Sequence, residues 1–289
     1  MVSTTTVLCI CITLLITLLG PVAALIIYAL RNRKQGIISA WFMGAAGFFV
    51  TQMLVRTTIL SILSMQSWYV SFVENNYVIY ALILAFTAGL FEFAGRFAVA
   101  KIMEKNLTYK RGFAAGLGHG GIEAMLIVGM TYVSNLLYVV MINTGTFDLI
   151  VEQTAALGAD TTALYQVQDA LLNTAPVTFL LGGYERILTI LCHVALTLIV
   201  IYYVKKQNAF KGALVCVALH TMLDGVSGLL MGLSTPYMGS VITQNTMYVI
   251  VYIFLTACAA GSVYVIAKIK KEMEASAEST EAEAPVEGM

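Results

Sequence analysis

The sequence predicts an all-α, polytopic membrane protein with seven transmembrane helices, and three observations predict it. Hydrophobic residues fill 59% of the 289 positions and charged residues only 11%, with a mean hydropathy of +0.85. A helix needs about 20 apolar residues to cross the hydrocarbon core, and runs that meet this test lie at roughly 4–30, 37–62, 77–100, 111–142, 184–204, 211–233 and 245–268. They are far longer than the ~10-residue strands of an outer-membrane barrel. Lastly, the basic residues sort to one side of the membrane.

Of the 16 Lys and Arg, all but Arg56, Arg96 and Arg186 lie in alternate connections. Arg31, Arg33 and Lys34 follow segment one, and Lys101, Lys105, Lys110 and Arg111 separate segments three and four. Lys205, Lys206 and Lys211 separate five and six, and Lys268, Lys270 and Lys271 follow seven. The opposite connections, 63–76 and 143–183, hold Glu74, Asp148, Glu152, Asp160 and Asp169 and no basic residue. Short loops rich in Lys and Arg stay in the cytoplasm, so the N-terminus is expected outside and the C-terminus inside. A formal net charge of zero leaves no basic footprint for a nucleic-acid partner.

Segment one lacks a positive n-region and is too long for a signal-peptide core, which predicts a retained helix. Cys9, Cys11, Cys192, Cys216 and Cys258 lie in apolar segments without CxxC spacing, as small packing residues do. Segments one and two carry no carboxylate or histidine, and Arg56 is expected to snorkel to the headgroups. Segment three places Glu92 and Arg96 at i and i+4, on one helix face.

Segment four sets His119 and Glu123 one turn apart beside Gly112, Gly116 and Gly120, a small-xxx-small face that admits a close neighbour. The 143–183 connection, expected outside, shows helical spacing at Ala163, Leu164, Val167, Ala170 and Leu171, which predicts one short amphipathic helix. Segment five opens with Glu185 and Arg186 and carries His193, two turns beyond Arg186. Segment six repeats the histidine–carboxylate spacing with His220 and Asp224. The membrane domain thus covers 1–271, and the tail 272–289, rich in Glu, Ala and Ser, is expected to be disordered and cytoplasmic.

All 3 histidines lie inside predicted helices, where ionisable groups are costly and mark function. Counted from the bounding lysines at 1.5 Å per residue, Glu92, His119 and His220 lie roughly 13 Å deep, and Glu123, His193 and Asp224 roughly 18 to 20 Å. Four helices therefore contribute to one polar layer. It could house a carboxylate and a histidine that activate water for amide hydrolysis. It could instead bind Zn2+ through imidazoles and a carboxylate, or pass protons without cleaving anything.

The motifs Phe91-Glu92-x-x-x-Arg96, Gly118-His119-Gly-Gly-Ile-Glu123, Gly182-Gly-Tyr-Glu185-Arg186 with His193, and Leu219-His220-x-x-x-Asp224-Gly together resemble the bacterial YhfC family. That group is related to type II CAAX-processing proteases, to PrsW and to the anterior-pharynx-defective subunit of γ-secretase. The resemblance covers about residues 5–270 and implies an intramembrane protease of the bacterial cytoplasmic membrane, described as metal-dependent or glutamic-type. Its substrate would be a membrane-embedded or membrane-anchored protein.

Type II CAAX proteases carry Glu-Glu-x-x-x-Arg, and here Phe91 stands in the first place. The resemblance therefore leaves Glu123, or Glu92, as the base beside His119. His220 and Asp224 match a His-x-x-x-Asn/Asp motif associated with oxyanion stabilisation, and Arg96, His193, Glu185 and Arg186 are supporting residues. In the metal-dependent version Zn2+ falls to His119, His193 and His220, and in the glutamic version no cofactor is needed. The competing expectation is a non-catalytic membrane scaffold, as the γ-secretase subunit is, or a proton-coupled transporter.

Overall fold

The computed structural model describes residues 1–282, and these form helices and no strands. In chain order they are α1 (Thr4–Arg31), α2 (Ile37–Ser64), α3 (Ser67–Asn75), α4 (Tyr77–Ile102), α5 (Tyr109–Thr144), α6 (Phe147–Ala156), α7 (Thr162–Asn173), α8 (Thr178–Lys205), α9 (Ala209–Gly232) and α10 (Gln244–Ala282). Seven of them, all but α3, α6 and α7, are long and apolar enough to cross a membrane. Each contains one of the expected segments, save that α9 ends at Gly232 rather than at 233. The chain is a multi-pass membrane protein.

Two connections hold more structure than the sequence suggested. The 143–183 stretch contains α6 as well as the expected α7; Phe147 and Val151 of α6 are buried. The 63–76 connection forms α3. The tail also departs from expectation, because α10 runs on to Ala282 and Met273 is buried against Ile269 and the core around it. An acidic composition signals disorder only where no apolar residue can be buried, and Met273 can be. Residues 283–289 of the expected disordered tail lie outside the described residues.

The helices group into two compact units. One comprises Met1–Ala23 and Glu123–Ile187, the other Ala24–Ile122 with the described residues from Leu188 onward. In the first unit Cys9, Ile10, Val139, Leu171 and Phe179 are buried together. Thr13 Oγ1 and the Tyr132 hydroxyl both donate to the Phe179 carbonyl, each at 2.7 Å.

In the second unit the core is built around α8, whose Val194, Leu198, Val200 and Ile201 are fully enclosed. Lipid is as apolar as leucine, so this association depends on close packing rather than on water expulsion. The glycine face of α5 makes it possible. A Cβ at Gly112 or Gly120 would lie 3.0 Å from Ile201 or His193, and one at Gly116 would lie 2.7 Å from the Val194 backbone. All five cysteines are free.

Three spans contain a π-helical stretch: Leu15–Leu19, Phe49–Arg56 and Ala124–Gly129. Such widened turns interrupt the regular ladder and frequently occur at functional sites. The second carries Gln52 and Arg56, and the third begins directly after Glu123.

Candidate functional site

Within the second unit, four helices turn polar side chains toward Glu92 of α4. Its Oε2 accepts from Arg96 Nη2 at 3.0 Å and from His119 Nε2 at 2.9 Å. The Nδ1 atoms of His193 and His220 each lie 3.6 Å from the same oxygen. Oε1 accepts from Gln52 Nε2 at 3.3 Å. Glu92, Arg96 and the three histidines are each at most 3% exposed.

Each position follows from its helix. The i,i+4 spacing stacks Arg96 over Glu92 on α4, and Arg96 Nε is held by Thr197 Oγ1 of α8 at 3.3 Å. Gly120 lets His193 approach α5. Gly89 does the same for α9: a Cβ there would meet the Val217 carbonyl at 3.1 Å and His220 Cβ at 3.3 Å. The imidazoles pack on one another, His119 to His193 at 5.3 Å and His193 to His220 at 5.8 Å between centroids, with Phe48 edge-on to His119.

The hydrogen bonds settle two tautomers. Arginine has no acceptor, so His193 Nδ1 must accept from Arg96 Nη2, 2.7 Å away. His220 Nε2 donates to Asp224 Oδ2 at 3.1 Å. In the neutral imidazole that leaves His220 Nδ1 with a lone pair, buried, without a hydrogen-bond partner and facing a carboxylate oxygen. Two acceptors pointed at one another repel unless a proton or a metal cation lies between them.

This donor set fits a metal ion. Zinc takes nitrogen and oxygen ligands at about 2.0–2.2 Å in a tetrahedron, which sets the ligand atoms roughly 3.3–3.6 Å apart. Glu92 Oε2 lies 2.9, 3.6 and 3.6 Å from the three imidazole nitrogens. Glu92, His119 and His193 offer donor atoms within 4.8 Å of one another. The Asp224–His220 bond has the carboxylate–histidine form that orients metal-ligating imidazoles.

Glu92, Arg96, His119, His193, His220 and Asp224 come together in the second unit. Glu123, Glu185 and Arg186 belong to the first, where Arg186 Nη1 donates to Glu123 Oε1 at 2.8 Å and Nη2 bonds Glu185. The imidazole of His119 is bonded to Glu92, the second of the two carboxylates expected beside it.

Gln52 and Thr197 were missed. Gln52 is the only Gln, Asn or ionisable residue other than Arg56 between Ile37 and Ser64, and an amide at mid-helix was the signal available. Thr197 gave none, since a threonine satisfies itself on its own helix. Arg56 does not extend to the helix end as expected; it donates to the Leu84 carbonyl at 2.7 Å and to Thr87 Oγ1 at 3.2 Å.

Comparison with known proteins agrees with this picture. The family model described as YhfC intramembrane metalloprotease matches residues 15–243. The Bacillus subtilis (strain 168) protein named "Uncharacterized membrane protein YhfC" is 33% identical over 245 residues, covering 83% of this chain and 88% of that protein. No solved structure matches. The matched span contains the whole histidine cluster, and the chain belongs to the YhfC intramembrane metalloprotease family.

Proposed function

We propose that this protein is a zinc-dependent intramembrane endopeptidase that cleaves a membrane-embedded or membrane-anchored protein, with Glu92 as its general base. The observation that carries the reading is the convergence of three buried imidazoles on one carboxylate oxygen, with the unpartnered Nδ1 of His220 facing it at 3.6 Å.

His119 Nε2, His193 Nδ1 and His220 Nδ1 would hold the ion, with Arg96 Nη2 withdrawn from His193 Nδ1 and kept on Glu92. When bound, zinc polarises a carbonyl and lowers the pKa of water to about 7. The chain's own residues do the remainder. His119 would ligate in the tautomer that carries its proton on Nδ1 and its lone pair on Nε2. Asp224 fixes the His220 tautomer, so that the lone pair stays on Nδ1. Gln52 holds Glu92 Oε1 and leaves Oε2 to meet the proton of an attacking water. Arg96 balances the carboxylate's charge in a setting that water screens little. The surrounding helices exclude bulk water, which strengthens each of these interactions.

Elemental analysis of protein purified without chelator tests the metal, and comparison of membrane proteomes from wild-type and Glu92→Gln cells tests the chemistry. The expected result is about one zinc per chain in both proteins, with uncleaved substrates accumulating only in the variant. Zinc lost together with cleavage would make Glu92 a ligand rather than the base. A zinc-free preparation that still cleaves would overturn the metal and leave a glutamic mechanism.

A further inference from the structure

A cavity of about 310 Å3 lies in the second unit between α2, α3 and α4. Its walls are apolar, with Leu60, Leu63, Trp68, Phe72, Ile83 and Phe91 among them. The two polar side chains that matter, Arg56 and Thr87, lie with Phe91 at one end of the α4 series Tyr80, Ile83, Leu84, Thr87, Phe91. That end adjoins the histidine cluster: Phe91 precedes Glu92, and Gln52, bonded to Glu92, is one turn from Arg56 on α2.

Arg56 is difficult to explain as a structural residue. A guanidinium inside a membrane span costs on the order of 2.5 to 3.5 kcal/mol, and such residues pair or mark a ligand path. The partners of Arg56 are neutral oxygens, the Leu84 carbonyl and Thr87 Oγ1, and it makes no ion pair among the described residues. It has five N–H donors, more than these two acceptors use.

The spacing identifies what could use the rest. Thr87 precedes Glu92 by five positions on α4, a rise of about 7.5 Å. Two residues of extended peptide span about 7 Å. A substrate whose scissile carbonyl lies at Glu92 would thus bring a main-chain oxygen to Arg56 two residues away. At about 30 Å3 per water-sized group, the cavity has room for about ten such groups, which suits the side chains of two large apolar residues.

Resting on the peptidase reading, we propose that this cavity is the substrate subsite: an unwound apolar segment of a transmembrane substrate fills it with two side chains, and Arg56 donates to its main-chain carbonyl. An unwound segment in lipid has lost its helical hydrogen bonds, and each orphaned carbonyl needs a donor. Arg56 supplies it. Specificity would then favour bulky apolar residues on one side of the scissile bond and exclude charged ones.

The test uses a leucine-rich transmembrane model peptide carrying photo-leucine at successive positions, reconstituted in bicelles with full-length Glu92→Gln protein. Cross-links mapped by mass spectrometry are expected on Leu60, Phe72 and Phe91. Arg56→Gln in that background should reduce their yield about tenfold, the effect of one lost charge-assisted hydrogen bond. Leu60→Trp, which fills the cavity and leaves Arg56 in place, should reduce it as strongly. Cross-links confined to lipid-facing residues, or unchanged by both substitutions, overturn the subsite. Cavity cross-links sensitive to both, without cleavage by the wild type, sustain the subsite and defeat the peptidase reading. Cleavage by the wild type that neither substitution alters defeats the subsite alone.

Discussion

Each of the two compact units holds a carboxylate against an arginine, Glu92 with Arg96 and Glu123 with Arg186, yet the two pairs are built for different work. The Arg186 pair is doubled by a second acid, Glu185, whose side chain is 33% exposed. There two acids share one cation. The Glu92 pair is ringed by three imidazoles, one of them oriented by Asp224. The surplus there is of lone pairs, which invites a cation. A buried ion pair by itself is weak grounds for chemistry, because helix packing retains such pairs for specificity. What distinguishes a site is donor capacity left over after the pair is made.

That contrast is most directly broken at the two glutamates. Glu92→Gln keeps the shape and removes the proposed base, so cleavage should fall by about 10²–10⁴-fold, with thermal stability reduced because Arg96 loses its counter-charge. Glu123→Gln should do the reverse. Breaking a buried pair costs about 3–5 kcal/mol, less here because Glu185 still engages Arg186, so the melting temperature falls while zinc content holds. Measuring melting, zinc content and cleavage on both variants settles the matter. Cleavage lost in a folded, zinc-loaded Glu123→Gln protein would return the base to Glu123.

Much of this was legible in the sequence. Seven apolar runs gave the seven spans because lipid imposes one length rule on each of them. The partners Glu92/Arg96 and His220/Asp224 could be read because i,i+4 spacing fixes neighbours within a helix. Pairing between helices could not be read. Depth says nothing of rotation about the helix axis, and it is rotation that turns Glu92 toward His119, His193 and His220. Gln52 and Arg56 were obscured for a further reason: they lie in a π-helical stretch, where the 3.6-residue period used to assign faces no longer holds. Helix α10 outran its expected end because composition averages over the residues that anchor it: Ile269 and Met273 are buried, and Glu272 accepts from the Tyr202 hydroxyl.

A smaller effect separates the roles within the histidine cluster. Asp224→Asn retains the side-chain size and can still bond His220, but with its charge gone the imidazole is a poorer ligand. Substitutions of such orienting partners cost about 10–100-fold in metal affinity or activity. Zinc affinity measured against a competing chelator should fall within that range, with folding unaffected because Asp224 is 41% exposed at its side chain. An unchanged affinity would place Asp224 outside the metal's support and leave it to act on substrate.

The weakest link of the comparison is Glu185. Its side chain is the most exposed of the Arg186 group, and exposed ion pairs contribute about 0–1 kcal/mol. Glu185→Gln should therefore shift the melting temperature by a degree or two and leave zinc and cleavage as they were. If Arg186 needs both acids to be neutralised, the Glu123→Gln/Glu185→Gln double variant will lose more stability than the two single variants together, since residues sharing one partner do not add. Simple additivity would mean that Arg186 is balanced by Glu123 alone. The first unit would then hold a plain ion pair, and the difference between the two units would rest entirely on the histidines.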